Sequence, residues 1–177
     1  MPRLTVFTPT YNRAYSLPRC YKSLKKQTCK DFIWLIIDDG SSDNTKELVD
    51  LWIKENFISI KYIYQENQGM HGAHNTAYEN IDTELNVCID SDDYMPNDAV
   101  EKILKFWDKN KSPELAGIIG LDAYESMEVI GNKFPDNLDK TTLFEINNKL
   151  KIKGDKKLVY MLYYVLHACL DFPDIYM

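Results

Sequence analysis

Four short apolar runs, each followed by a polar turn and then by residues at helical spacing, constrain the fold of this chain more than any other feature. Leu4 to Thr8 (LTVFT) is rich in β-branched residues and meets Pro9, which predicts a buried strand running into a loop. Ser16 then stands as an N-cap ahead of Leu17, Cys20, Tyr21 and Leu24, the spacing of one helix face. The unit repeats. Phe32 to Ile37 (FIWLII) is continuously apolar, as in a strand covered on both faces, and DDGSSDN supplies turn residues and an N-cap, Asp43 or Asn44, for a helix over Thr45 to Asn56. Ile60 to Tyr64 predicts a third strand, NQGMHG a Gly-containing loop, and Ala73 to Asn80 a short helix. Leu85 to Ile89 (LNVCI) predicts a fourth strand that ends at Asp90, Asp92 and Asp93, after which Asn97 or Asp98 caps a helix through Trp107.

Strands alternating with helices require right-handed crossovers, hence an α/β fold: a Rossmann-like, mostly parallel sheet flanked by helices on both faces. Such a sheet binds ligands beyond the carboxyl ends of its strands. TPTYNR, DDGSSD, NQGMHGAHN and DSDD are those ends, so residues far apart in the sequence, from Thr8 to Asp93, are expected to share one crevice. Further on, Leu115 to Leu121 predicts a fifth strand, Glu125 to Lys153 has no clear period, and Lys156 to Leu170 reads as an apolar helix. With 177 residues, 45% of them hydrophobic, the chain can bury one sizeable core, and a single domain spanning 1–177 is expected.

Charge and cysteine usage exclude several functions. The net charge of -6, without a basic block to track a phosphate backbone, excludes nucleic acid as a partner. Cys20, Cys29, Cys88 and Cys169 form no CxxC pair and read as reduced thiols. The first residues lack the apolar region of a signal peptide, and Leu158 to Leu170 spans only 13 residues, short of a membrane crossing, so a cytoplasmic location is expected.

The chemistry concentrates at the strand ends. Asp90 and Asp92 are hard oxygen ligands at i and i+2, suited to Mg²⁺ or Mn²⁺ completed by water and phosphate, although acidic residues also coat turns and cap helices. Asp38 and Asp39 can accept hydrogen bonds from ribose hydroxyls or a base N–H, with N-capping as the plainer role. Tyr11 offers an aromatic face, Asn12 an amide and Arg13 a cation for phosphate. Gly69 and Gly72 flank His71 where backbone N–H groups can approach a phosphate, yet no P-loop and no GxGxxG after the first strand is present. His71 and His74 lack the further soft ligands of a zinc site, and Tyr62, Tyr64, Phe106 and Trp107 fit core packing at strand or helix spacing.

TPTYNR, IIDDGSSDNT, NQGMHGAHNTA and CIDSDDYMP, in this order over Leu4 to Trp107, resemble the family 2 glycosyltransferases of the GT-A fold. The resemblance implies a nucleotide-sugar-binding part over 1–110 and an incomplete acceptor-side part over 111–177. It implies nucleoside recognition by Thr8, Pro9, Tyr11, Asn12, Asp38 and Asp39, and a sugar-diphosphate site including Arg13, Asn67, Gly69, His74 and Asn75. Asp90 and Ser91 would hold the donor, and Asp92, with Asp90 beside it, would hold Mn²⁺ or Mg²⁺. The implied reaction moves a sugar from a nucleoside diphosphate, UDP being the expected one, to a saccharide or lipid-linked acceptor with inversion, as in polysaccharide biosynthesis. Peripheral work at the inner face of a membrane and oligomerisation are both compatible with it.

Two departures from the family stand out. His74 occupies a position often held by Arg or Lys, and the acidic segment that supplies the catalytic base in the family lies past the point where this chain stops. IKGDKKLVYMLYYVLHACLDFPDIYM, with Gly154, Asp155 and Lys156, resembles the approach to that segment, and Asp171 and Asp174 are the last carboxylates. A truncated donor-binding half is therefore expected. The alternatives are a catalytically silent nucleotide-binding module and an Asp-x-Asp phosphohydrolase, the latter disfavoured because its motif belongs at the first strand rather than the fourth.

Overall fold

The computed structural model describes residues 1–126, 128–138, 140–154 and 156–161. The apolar runs become β1 (Leu4–Thr10), β2 (Phe32–Asp38), β3 (Ser59–Tyr64) and β4 (Leu85–Cys88), separated by α1 (Leu17–Lys25), α2 (Thr45–Glu55) and α3 (Gly69–Glu79). They are followed by α4 (Ala99–Asn110), β5 (Gly117–Leu121) and β6 (Lys156–Met161). The sheet order is β3-β2-β1-β4-β6-β5, with β1 parallel to both β2 and β4, and β2 parallel to β3. Return through helices forces the parallel pairing, because successive strands must start from the same edge.

Alternate residues of the central strands face opposite layers. Leu4, Val6, Trp34 and Ile36 pack under α1, α2 and α4, where the Tyr21 and Trp52 rings stack at 4.4 Å between centroids. Phe7, Leu35 and Ile37 pack on the other face against Ala73 and Ala77 of α3. Helices thus cover both faces, and a fully buried strand needs its continuous apolar run for that reason.

β1 runs two residues past its expected end, through Pro9 and Thr10. Phe7 O accepts from Ile89 N and Thr10 O from Asp39 N, each at 2.9 Å, so alternate residues face β4 and β2. The nitrogen of Pro9 therefore faces the β4 side where that ladder has already ended at Phe7↔Cys88, and its missing N–H costs no bond.

Two expected elements are corrected. NQGMHG is not all loop: α3 starts at Gly69, because Gly69 adopts φ 76° at the turn and Gly72 fits within the first helical turn. A Cβ on Gly72 would lie 2.3 Å from Cβ of Gln68. Lys156 to Met161 is not helix but strand, antiparallel to β4 with Leu85↔Met161 and Val87↔Val159 in register. The open edge of β4 supplies hydrogen-bond partners that a periodicity argument does not see. The remainder of the expected helix, with Cys169, Asp171 and Asp174, lies outside the described residues, as does Asp155.

The chain divides into two compact units, the first formed by residues 1–118 with the described residues from 159 onward, the second by Ile119–Leu158. In the first, Arg3 joins the start of β1 to Glu84 at 2.7 Å and to Asp108 of α4 at 2.8 Å. In the second, Ala123 bridges Val129, a π-helical turn covers Glu145–Lys149, and Ile146 and Ile152 are buried. Gly131 and Gly154, at φ 93° and 107°, cross so closely that a Cβ on either would lie 2.2 Å or less from a backbone oxygen of the other segment.

Candidate active site

The parallel strands deliver their carboxyl ends to one edge of the first unit, and the side chains there tie the loops together. After β1, Asn12 takes φ 52°, a left-handed conformation that Asn tolerates. Its N–H donates to Ser41 Oγ at 2.8 Å, and its Oδ1 accepts from Ser42 N at 2.8 Å and Asp43 N at 3.3 Å. Asp43 in turn accepts from Ala14 N at 3.0 Å and Thr45 N at 3.1 Å. Burial alone would raise the Asp43 carboxyl, but the bonds from Thr45 and Ala14 prevail and hold it below the usual carboxylate range. Tyr11 beside Asn12 is exposed.

The two carboxylates that end β2 differ in their partners. Asp38 is 1% exposed, and its oxygens accept from Ser41 N at 2.8 Å and Tyr62 Oη at 2.6 Å. Burial, and then the bond to Asp38, push the Tyr62 phenol well above its ordinary value. Asp39 is 3% exposed, and a single oxygen, Oδ1, accepts from Gln65 Nε2 at 2.6 Å and Gln68 N at 2.9 Å. Gly40 turns the chain at φ 87°, where a Cβ would lie 3.0 Å from Asn67 N, and Asn67 Nδ2 donates to Asp39 O at 2.8 Å.

α3 begins at this edge, and its N-cap Gln68 makes no side-chain cap bond, as at a helix start whose first-turn N–H groups suit an anion. His74 lies one turn further on, half-buried, with its ring edge-on to Phe7 at 5.3 Å and Nε2 3.9 Å from Cys88 Sγ. Burial lowers its pKa, with Asp90 opposing, so the imidazole is neutral at pH 7. Asn75 is exposed beside it.

After β4 the chain folds into a turn in which Asp93 N donates to Asp90 O at 3.0 Å. Asp90 and Asp92 are exposed while Ser91 is buried, and Arg13 Nη1 lies 3.9 Å from Asp92 Oδ2, with side-chain exposures of 43% and 59%. Among the described residues no three His, Cys, Asp or Glu side chains come together as a metal site. Two exposed, oxygen-only ligands fit Mg²⁺ or Mn²⁺, which fill their remaining positions with water and substrate phosphate, better than zinc.

The edge therefore gathers Tyr11, Asn12, Arg13, Asp38, Asp39, Asn67, Gly69, His74, Asn75, Asp90, Ser91 and Asp92, with Pro9 at the end of β1. Thr8 is fully buried and its side chain accepts from Trp34 Nε1 at 3.0 Å inside the core. Gln65, Gln68, Ser41 and Tyr62 are additions. Only the position of Gln65 directly after a strand hinted at its part; its partner is 26 residues away.

The model of the family described as "Glycosyl transferase family 2" matches residues 5–151. This chain belongs to glycosyl transferase family 2. Among curated members, the chain is 37% identical over 108 residues to an uncharacterized glycosyltransferase of Rickettsia conorii, covering 61% of this chain and 18% of that protein. It is 35% identical over 101 residues to the teichoic acid poly(glycerol phosphate) polymerase of Staphylococcus epidermidis, covering 56% and 14%. To the GalNAc(5)-diNAcBac-PP-undecaprenol beta-1,3-glucosyltransferase of Campylobacter jejuni it is 34% identical over 107 residues, covering 59% and 34%. The chain thus spans between 14% and 34% of the length of these relatives. Staphylococcus aureus TarS 1–349 shares the fold, with a TM-score of 0.68 at 24% identity over 99% of this chain and 50% of that one. The mannosyltransferase of Pyrobaculum calidifontis, solved with GDP-Man and Mn²⁺, gives 0.59 at 25% identity over 66% and 34%. The fold is accordingly of the GT-A type expected of glycosyl transferase family 2, and these matches give the phosphohydrolase alternative no support.

Proposed function

We propose that this chain forms the donor-binding part of a metal-assisted glycosyltransferase that moves a sugar from a nucleoside diphosphate, UDP in the first instance, to a saccharide or lipid-linked acceptor. The observation that carries the proposal is the convergence of the four strand ends on one edge, with Arg13 and Asp92 facing each other at 3.9 Å. Arg13 and the first-turn N–H groups of α3 would hold the diphosphate, Tyr11 would pack on the base, and Asp39 would accept its N–H. The neutral His74 would donate a hydrogen bond rather than a charge.

In the reaction, the bond from the sugar C1 to the diphosphate oxygen breaks, and the acceptor oxygen attacks C1 from the opposite face, losing its proton to a base. A divalent ion on Asp90 and Asp92 would neutralise the departing diphosphate. The side chains named above would bind the donor and orient it for that attack. The relatives named for glycosyl and lipid-linked glycosyl transfer support the substrate class, as does the structural neighbour solved with GDP-Man and Mn²⁺.

Titration calorimetry tests this. UDP or a UDP-sugar is expected to bind in Mn²⁺, and Asp92→Ala to weaken that binding about tenfold or more, the loss of a charged contact. Absence of binding by UDP, GDP and their sugars, or binding indifferent to Asp92→Ala, would overturn the proposal.

A further inference from the structure

Gln65 sits where β3 passes into the approach to α3. Its Nε2 donates to Asp39 Oδ1, the oxygen that also accepts from Gln68 N, and Oδ2 has no hydrogen-bond partner among the described residues. An amide facing a carboxylate has only one sensible orientation, NH₂ toward the charge, so Gln65 Oε1 is fixed on the far side. That Oε1 is buried without a partner. Native folds tolerate such an orphan acceptor rarely, and each instance calls for an explanation. The neighbouring Asp38 has no comparable spare oxygen, since one accepts from Ser41 N and the other from Tyr62 Oη.

We propose that Gln65 is a positioning residue for nucleobase selection, acting by pinning Oδ1 of Asp39 so that Oδ2 becomes one fixed acceptor in the donor crevice. The proposal rests on the donor-site reading above and adds the residue that makes it selective. A fixed acceptor favours a base that presents an imino N–H, as uracil and guanine do. Cytosine and adenine place a lone pair at the corresponding ring nitrogen, and two acceptors face to face repel. A carboxylate free to rotate can turn away from that repulsion and let water intervene; a pinned one cannot. The orphan Oε1 is the cost of holding the amide in this orientation, and removing the amide would relieve that cost while losing the bond to Asp39.

The test is calorimetric titration of the whole chain with UDP and with CDP in Mn²⁺, for the wild type, Gln65→Met and Gln65→Glu. Wild type is expected to prefer UDP, and Gln65→Met to lower the UDP:CDP affinity ratio about tenfold, the value of one charge-assisted bond. A loss of stability without a positioning role would weaken both nucleotides alike and leave the ratio unchanged. Gln65→Glu, which sets a second carboxylate against Asp39, gives the same reading should Gln65→Met fail to fold. An unchanged ratio in the variants, or a wild type indifferent to the base, overturns the proposal alone. A wild type that binds neither nucleotide overturns both it and the donor site.

Discussion

At the scale of single residues, Asp38 and Asp39 are adjacent and chemically identical, yet both oxygens of Asp38 and only Oδ1 of Asp39 have hydrogen-bond partners among the described residues. Asp38→Ala would leave Tyr62 Oη and Ser41 N–H without an acceptor, and a loss of about 2–4 kcal/mol is expected in urea unfolding. Asp39→Asn should instead lower nucleotide affinity with little effect on the unfolding midpoint. His74 gives a second residue-level prediction. Burial lowers its pKa below the ordinary 6.5, so the unfolded chain binds the proton more strongly, and stability falls as pH drops below that value. Thermal midpoints across pH 5 to 8 should therefore slope less in His74→Gln than in the wild type (roughly the titration range of histidine). These partners were not legible beforehand, because sequence fixes which groups are present and not which partners reach them; Thr8, whose side chain bonds Trp34 in the core, and Gln65, whose partner directly follows β2, show this in both directions.

At the scale of elements, the central strands were legible because continuous apolar runs are hard to place anywhere but between two helical layers. The misplaced elements share a cause. The two glycines of NQGMHG carry the chemistry of a loop, while the helix start is decided by how closely Gln68 and Gly72 approach. β6 is strand because β4 offers it an edge, and no local pattern records the neighbour. Gly40 ties an element to the site. At φ 87°, with Asn67 N only 3.0 Å from a built Cβ, Gly40→Ala is expected to cost about 1 kcal/mol or more and to shift the loop that presents Asn67. Denaturant unfolding and UDP titration of that variant measure the two effects separately.

At the scale of the molecule, acid and ligand act on the same unfolding equilibrium from opposite sides. Arg3 holds the Asp108 carboxyl down to about 2, and the Glu84 carboxyl, which burial would raise, is brought below its ordinary value by the bonds from Trp107 Nε1 and then Arg3, so the stability these groups supply is present above ordinary carboxylate values and lost as pH falls through them toward 2. Arg3→Met should show a shallower fall in thermal midpoint between pH 4 and 2 (about the span of the shift). Saturating UDP works the other way: at a hundred times Kd it adds about 2.7 kcal/mol, worth roughly 5–10 °C in a chain of this size. Asp92→Ala should erase the Mn²⁺-dependent part of that rise. The bonds of Asn12 to Ser41, Ser42 and Asp43 also have a bearing on descent. They join the loops after β1 and β2 through backbone N–H groups, which any residue but proline supplies, so the join should survive exchanges of side chain at Ser42 and Asp43 between relatives while depending on the Asn12 amide.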